Sequence, residues 1–94
     1  MNARAYVLIT AVQGKVHEVL RILRRRPGIL FVDCVEGPPD IVMMAEADDN
    51  QKLADLTIKA LTSVENLTED TQVLPVCNGE LSVRRAGARR RRDA

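Results

Sequence analysis

Apolar positions along the first 76 residues fall into strand-like and helix-like runs in the order strand, helix, strand, strand, helix, strand. Residues 5–12 (AYVLITAV) are apolar on both alternating faces, with Tyr6 and Leu8 on one and Val7, Ile9 and Ala11 on the other. A strand with two apolar faces is covered on both sides, so this one belongs at the centre of a sheet. Gln13-Gly14 breaks it. Residues 15–26 then place Val16, Val19, Leu20 and Leu23 at i, i+3, i+4 and i+7, the spacing of an amphipathic helix with Arg21, Arg24 and Arg25 on its wet side. Pro27-Gly28 ends that helix. Arg24, Arg25 and Arg26 fall in its last turn, where cations suit the helix dipole without needing a bound anion.

Residues 29–47 (ILFVDCVEGPPDIVMMAEA) form the stretch around which the chain is organised. Two runs, 29–36 and 40–47, flank the loop Gly37-Pro38-Pro39-Asp40 and predict a buried hairpin of antiparallel strands. Alternation puts Leu30, Val32 and Cys34 on one face of the first strand and Ile29, Phe31, Asp33 and Val35 on the other. In the second, Ile41, Met43 and Ala45 oppose Val42, Met44 and Glu46. The loop is the natural place for function. It holds a lone carboxylate, Asp40, beside Gly37, which can bring bare backbone amides close to a ligand.

Asp48, with Gln51 three residues later, reads as a capping box opening a helix over 51–63. Its predicted stripe is Leu53, Leu56, Ala60 and Leu61, with Lys52, Asp55 and Lys59 towards water. A last strand follows over 68–76, and Pro75 marks it as an edge strand or its end. Asn78-Gly79 is a turn signal, and nothing after it shows apolar periodicity. The chain therefore divides into one domain over 1–79 and an Arg-rich tail over 80–94.

This order is the α+β, ferredoxin-like βαββαβ plan, in which two helices cover one face of a four-stranded antiparallel sheet. Helices can bury only that face. Strands that are apolar on both sides leave a second apolar surface, which on a soluble protein marks an interface, so the pattern predicts a dimer joined through its sheets.

Composition adds limits. With 94 residues the core is small, which favours association. Hydrophobic residues at 46% and charged residues at 29% suit a globular domain. No run approaches the roughly 20 apolar residues of a membrane span. The opening MNARAYVLITAV runs straight into strand-like sequence rather than showing the regions of a signal peptide. Two cysteines, Cys34 and Cys77, are too few for a disulfide framework and favour a reducing cytoplasm, with Cys34 reading as a small buried hydrophobe. His17 is the one histidine, so a zinc site within one chain is poorly supplied. Neither a metal nor a cofactor is expected. The net charge of +1 hides a division: residues 1–80 hold 8 Lys/Arg against 12 Asp/Glu, and residues 81–94 hold 6 Arg against Asp93.

Gly14 after the first strand, Pro27-Gly28-Ile29 into the second, the hairpin VEGPPDIV over 35–42 and the Thr-rich strand 68–76 together resemble the effector-binding domain of the Lrp/AsnC transcription regulators, called the RAM domain. The resemblance covers residues 4–76, and its most specific element is the strand, Gly-x-x-Asp, strand hairpin. It implies a module without catalysis that binds a small effector, commonly an amino acid, between subunits, in dimers that assemble into rings. Carried over by position, Gly37, Pro38, Pro39, Asp40, Thr68 and Thr71 become the effector-binding candidates. Gly37 would offer amides to a carboxylate, and Asp40 would accept from an α-ammonium. Pro39 stands where an aromatic residue is common in that family. Relatives carry a helix-turn-helix domain ahead of this module, whereas only residues 1–4 precede the first strand here. The resemblance is therefore to a stand-alone form, acting through itself or a full-length Lrp/AsnC regulator rather than by direct DNA contact.

Two other classes remain to be weighed. A dimeric ferredoxin-like barrel enzyme would also pair its sheets, but it needs a polar or aromatic-lined interior with a base, and this chain has one His, one Tyr and one Phe. A nucleic-acid binder could use the Arg tail, whose attraction to phosphate would be sequence-blind and which has no aromatic residue for base stacking.

Overall fold

The computed structural model describes residues 2–77. Strand β1 (Ala3–Ala11) leads into helix α1 (Val16–Leu23), then β2 (Ile29–Cys34) and β3 (Ile41–Ala47). Helix α2 (Asn50–Thr62), a 3-10 turn (Glu65–Leu67) and β4 (Thr68–Pro75) complete the order. The strands form one sheet, β2-β3-β1-β4, in which every neighbouring pair is antiparallel. This is the ferredoxin-like plan. β1 lies between β3 and β4, as its two apolar faces require, and the Pro75 strand is an edge.

Both helices lie over the face presented by Val7, Ile9, Ala11, Ile41, Met43 and Ala45, all buried. Val19, Leu20 and Leu23 of α1 pack there with Ala60 of α2 and Val64. Leu53 closes a second cluster with Ala5 and Ala45. Each fully buried side chain of this size contributes about 1.5–3 kcal/mol, so this layer carries most of the fold.

Several local expectations are corrected. Helix α1 stops at Leu23 rather than Arg26, because the amides of Arg25 and Arg26 reach back only three residues, to the carbonyls of Ile22 and Leu23. This tightened turn is a common way to satisfy terminal carbonyls. The cap of α2 is Asp49 rather than Asp48, its carboxylate accepting from the Lys52 amide at 2.8 Å, while Asp48 pairs with the Lys52 ammonium at 3.7 Å on the surface. The buried side of α2 is centred on Leu53, Thr57 and Ala60, which leaves Leu56 and Leu61 half-buried at its flanks.

The hairpin is not buried as a whole. β2 is the other edge strand, and only Val32 in it is fully covered. An irregularity between Ile29 and Phe31 opposes Ile29 to Ala45 and Phe31 to Met44. It turns Ile29 towards the core with Val32 and leaves Leu30 51% exposed, opposite to the simple alternation. Cys34, at the end of this edge, is exposed rather than buried, as is Cys77.

Among the described residues no helix or strand covers the face away from the helices. Across all four strands the register aligns Phe31, Met44, Tyr6 and Leu74 in one apolar row, followed by a row of Asp33, Val42, Leu8 and Gln72. Tyr6, Phe31 and Leu74 are exposed, whereas Met44, between Tyr6 and Phe31, is buried by its neighbours. Among the described residues no helix is long and apolar enough to cross a membrane. Residues 78–94 lie outside the described residues, and the expectations for the Asn78-Gly79 turn and the Arg tail lie there with them.

Gly28 joins α1 to β2 with φ +82°, and its carbonyl accepts from the Glu46 amide at 2.8 Å. A Cβ there would lie 2.6 Å from Leu56 Cδ2 and 3.1 Å from the Glu46 carbonyl oxygen. Gly37 has nearly the same φ, +85°, but no atom within 4 Å of such a Cβ. Gly37→Ala is therefore expected to cost about 1–2 kcal/mol for the left-handed backbone alone. Gly28→Ala should cost more, read as a larger fall in the urea midpoint at unchanged slope. Equal falls would show that the contact with Leu56 relaxes freely.

Candidate functional site

The loop between β2 and β3 is held to the centre of the sheet by one residue. Asp40 Oδ1 accepts from the Ala11 amide at 2.9 Å, and the Asp40 amide donates to the Ile9 carbonyl at 3.0 Å. The Asp40 carbonyl accepts from the Val35 amide at 2.9 Å, closing the hairpin. Local sequence explains why the carboxylate is required. β1 pairs with β3 only as far as Ile9 opposite Ile41, so the Ala11 amide, directed to the same side as the Ile9 carbonyl, lies beyond the last β3 partner, while on its other side β1 changes register against β4 between Thr10 and Ala11. A side-chain acceptor at this end of the pairing satisfies an amide close to the core, where an unpaired donor is costly. Asp40 is thus first a clip, and one of its two oxygens is engaged before any ligand arrives.

The prolines of the loop stand over the uncovered face. Pro38 and Pro39, joined by a cis peptide bond, share a cavity of about 150 Å³ with Leu8 and Thr10 of β1 and Asp70 and Gln72 of β4. Neither Gly37 nor Asp40 lines it. Thr68 and Thr71 are placed elsewhere. They oppose Ala11 and Ile9, whose side chains point to the helices, so they sit on the helix-facing side of β4. The Thr68 hydroxyl lies 3.5 Å from the Glu65 carbonyl, a weak local contact. Of the six residues singled out from sequence, the structure brings Pro38 and Pro39 to one cavity, makes Asp40 its support, and separates Thr68 and Thr71 from it.

Asp70 and Gln72 are the cavity residues that sequence reasoning missed. Alternation shows that they share a face, but which face depends on the extra residue at the β1–β4 register break. Residues 68–72 are polar at every position, so alternation carried no signal there.

Other candidate chemistry resolves differently. The Arg24 guanidinium donates to the Val32 carbonyl at 3.0 Å, linking α1 to β2, which gives this member of the arginine cluster a structural task. His17 is exposed on α1. No group of three or more His, Cys, Asp or Glu side chains suited to a metal occurs among the described residues. A larger groove, about 450 Å³, runs between α2 and β4 past Leu53, Ile58, Leu61, Val73 and Pro75, and among the described residues no ionisable side chain lines it.

The model of the Lrp/AsnC ligand binding domain matches residues 4–74. The chain belongs to the Lrp/AsnC ligand-binding domain family. Among solved structures it is similar to TTHA0845 from Thermus thermophilus, with a TM-score of 0.72 and 26% identity over 81% of this chain and 94% of that one. It also resembles PF0864 from Pyrococcus furiosus, a transcriptional regulatory protein of the AsnC family, with a TM-score of 0.64 and 20% identity over 82% of this chain. A third is the transcriptional regulator NMB0573 from Neisseria meningitidis in complex with L-Met, with a TM-score of 0.65 and 18% identity over 81% of this chain. The match spans 51% of the Pyrococcus regulator and 50% of the Neisseria one, and at their identities the likeness concerns the fold. No curated protein matches the sequence.

For this Lrp/AsnC domain the clip makes a direct prediction. Asp40→Ala strands the Ala11 amide and is expected to lower the unfolding free energy by about 1–3 kcal/mol. Asp40→Asn keeps an acceptor oxygen at the same place and should lose less, both read from urea unfolding. Identical losses would show that charge, rather than the acceptor, holds the loop.

Proposed function

We propose that the protein is a non-catalytic regulatory module of the Lrp/AsnC type, which binds a small effector beside the 37–40 loop and associates with itself through the uncovered sheet face. The family match over residues 4–74 supports a regulatory effector-binding domain. The observation that carries the finer reading is the cavity in which Pro38 and Pro39 meet Asp70 and Gln72, because it gives the loop a ligand-sized space on a rigid sheet. An amino acid is the effector class proposed. The complex of the Neisseria meningitidis regulator with L-Met is an example on the same fold.

Self-association has a separate physical motive. The row Phe31, Met44, Tyr6 and Leu74 crosses the whole sheet with no described element over it, and burying it against a second copy would remove the exposed surface of Tyr6, Phe31 and Leu74 from water. The proposed assembly is a dimer, or a ring of dimers, in the cytoplasm, with a full-length Lrp/AsnC regulator as a further partner. The enzyme reading finds no histidine and no nucleophile paired with a base among the described cavity residues: His17 is on α1, and the cavity is lined by two prolines, Leu8, Thr10, Gln72 and the single carboxylate of Asp70. A DNA-binding role for residues 80–94 lies outside the described residues.

Two measurements test the proposal. Calorimetric titration with the twenty amino acids should give saturable binding for at least one, and heat indistinguishable from dilution for all of them would overturn the effector reading. Tyr6→Asp should convert the assembly to monomer in sedimentation analysis with unchanged far-ultraviolet circular dichroism. An unaltered mass would show that copies meet elsewhere.

A further inference from the structure

The effector reading leaves open which side chain recognises the ligand, and the expected one, Asp40, is engaged with the Ala11 amide and absent from the cavity wall. The wall has a definite electrostatic character. Among the described residues its one ionisable side chain is Asp70, and no Lys or Arg lines it. Pro38 and Pro39 have no backbone N–H, so the loop offers this space carbonyl acceptors and apolar rings but no amide donors from those two positions. Donors come only from the Gln72 amide and the Thr10 hydroxyl, each of which also accepts. A carboxylate entering here would meet a like charge and few donors, whereas an ammonium would meet a carboxylate, two further acceptors and an apolar wall formed by Leu8 and the prolines.

We infer that Asp70, with Gln72 and Thr10, forms the recognition group of this site, and that the site takes the ammonium end of a small primary amine with a short apolar body. A carboxylate is not part of what the cavity reads. Where the ligand is an amino acid, its carboxylate lies at the open mouth, away from Asp70. The volume fits this class: about 150 Å³ is well below the roughly 300–1,000 Å³ typical of drug-sized ligand pockets. This inference rests on the effector reading for the place of the site, but it assigns a different residue and a different ligand group. Asp70 is exposed on an edge strand, so its substitution leaves the core untouched.

The test is a titration of the full chain, followed through backbone amide resonances, with n-propylammonium, alaninamide, L-alanine and propionate. Saturable shifts at Leu8, Thr10, Asp70 and Gln72 are expected with the two cations and none with propionate. Asp70→Asn should weaken cation binding at least tenfold. Asp33→Asn, which removes a carboxylate from the same sheet face on the opposite edge strand, should leave it unchanged. Propionate binding as well as propylammonium, binding indifferent to Asp70→Asn, or no shift with either cation would each overturn the assignment. The two readings separate cleanly. Amino acids that bind Asp70→Asn and wild type alike would leave the effector reading standing and remove Asp70 from it. Propylammonium binding through Asp70 with no amino acid bound would do the reverse.

Discussion

β1 is paired on both of its edges, to β3 on one side and β4 on the other, and nearly every other placement in the molecule follows from that double pairing. Val7, Ile9 and Ala11 point one way and are covered by both helices, and Tyr6, Leu8 and Thr10 point the other way, where neither helix covers them. Because side chains alternate strictly along a strand, a shift of one residue in either pairing would exchange the two sets. The register therefore decides at once which residues make the core, which make the uncovered row, and which border the cavity.

Asp40 is the point at which this register is coupled to the loop. Its amide and carboxylate reach β1 on either side of the break at Thr10 and Ala11, and its carbonyl closes the hairpin on Val35. A Gly-x-x-Asp sequence in a hairpin can thus be explained by backbone satisfaction before any ligand is invoked. The aspartate fixes where the prolines stand, and the prolines with β4 make the space. Support falls to Asp40 in the loop, and the recognition proposed above falls to a different carboxylate, Asp70 on the edge strand that faces it across β1.

Much of this was legible in the amino-acid sequence, and the parts that were not have identifiable causes. Apolar periodicity located every strand and both helices, because spacing at two and at three to four residues is a property of single segments. The second apolar face was legible from Tyr6, Leu8, Val42 and Met44 for the same reason. Faces of the edge strands were not. Ile29 and Leu30 exchange sides at one irregularity, and Thr68 parts from Asp70 at another, and such breaks depend on a partner strand that periodicity cannot see. The cavity residues divided along the same line: Pro38 and Pro39 entered as candidates through the Lrp/AsnC resemblance of their hairpin, while Asp70 and Gln72 required the pairing.

Met44 lies on the uncovered side of the sheet yet is only 6% exposed, since the rings of Tyr6 and Phe31 flank it from the adjoining strands. The open side of the sheet is thus least exposed at its middle, where Met44 has a ring on either side of it. In the proposed assembly, collapse of one chain would therefore not have to wait for encounter with another, and the degree of association would be free to vary with concentration.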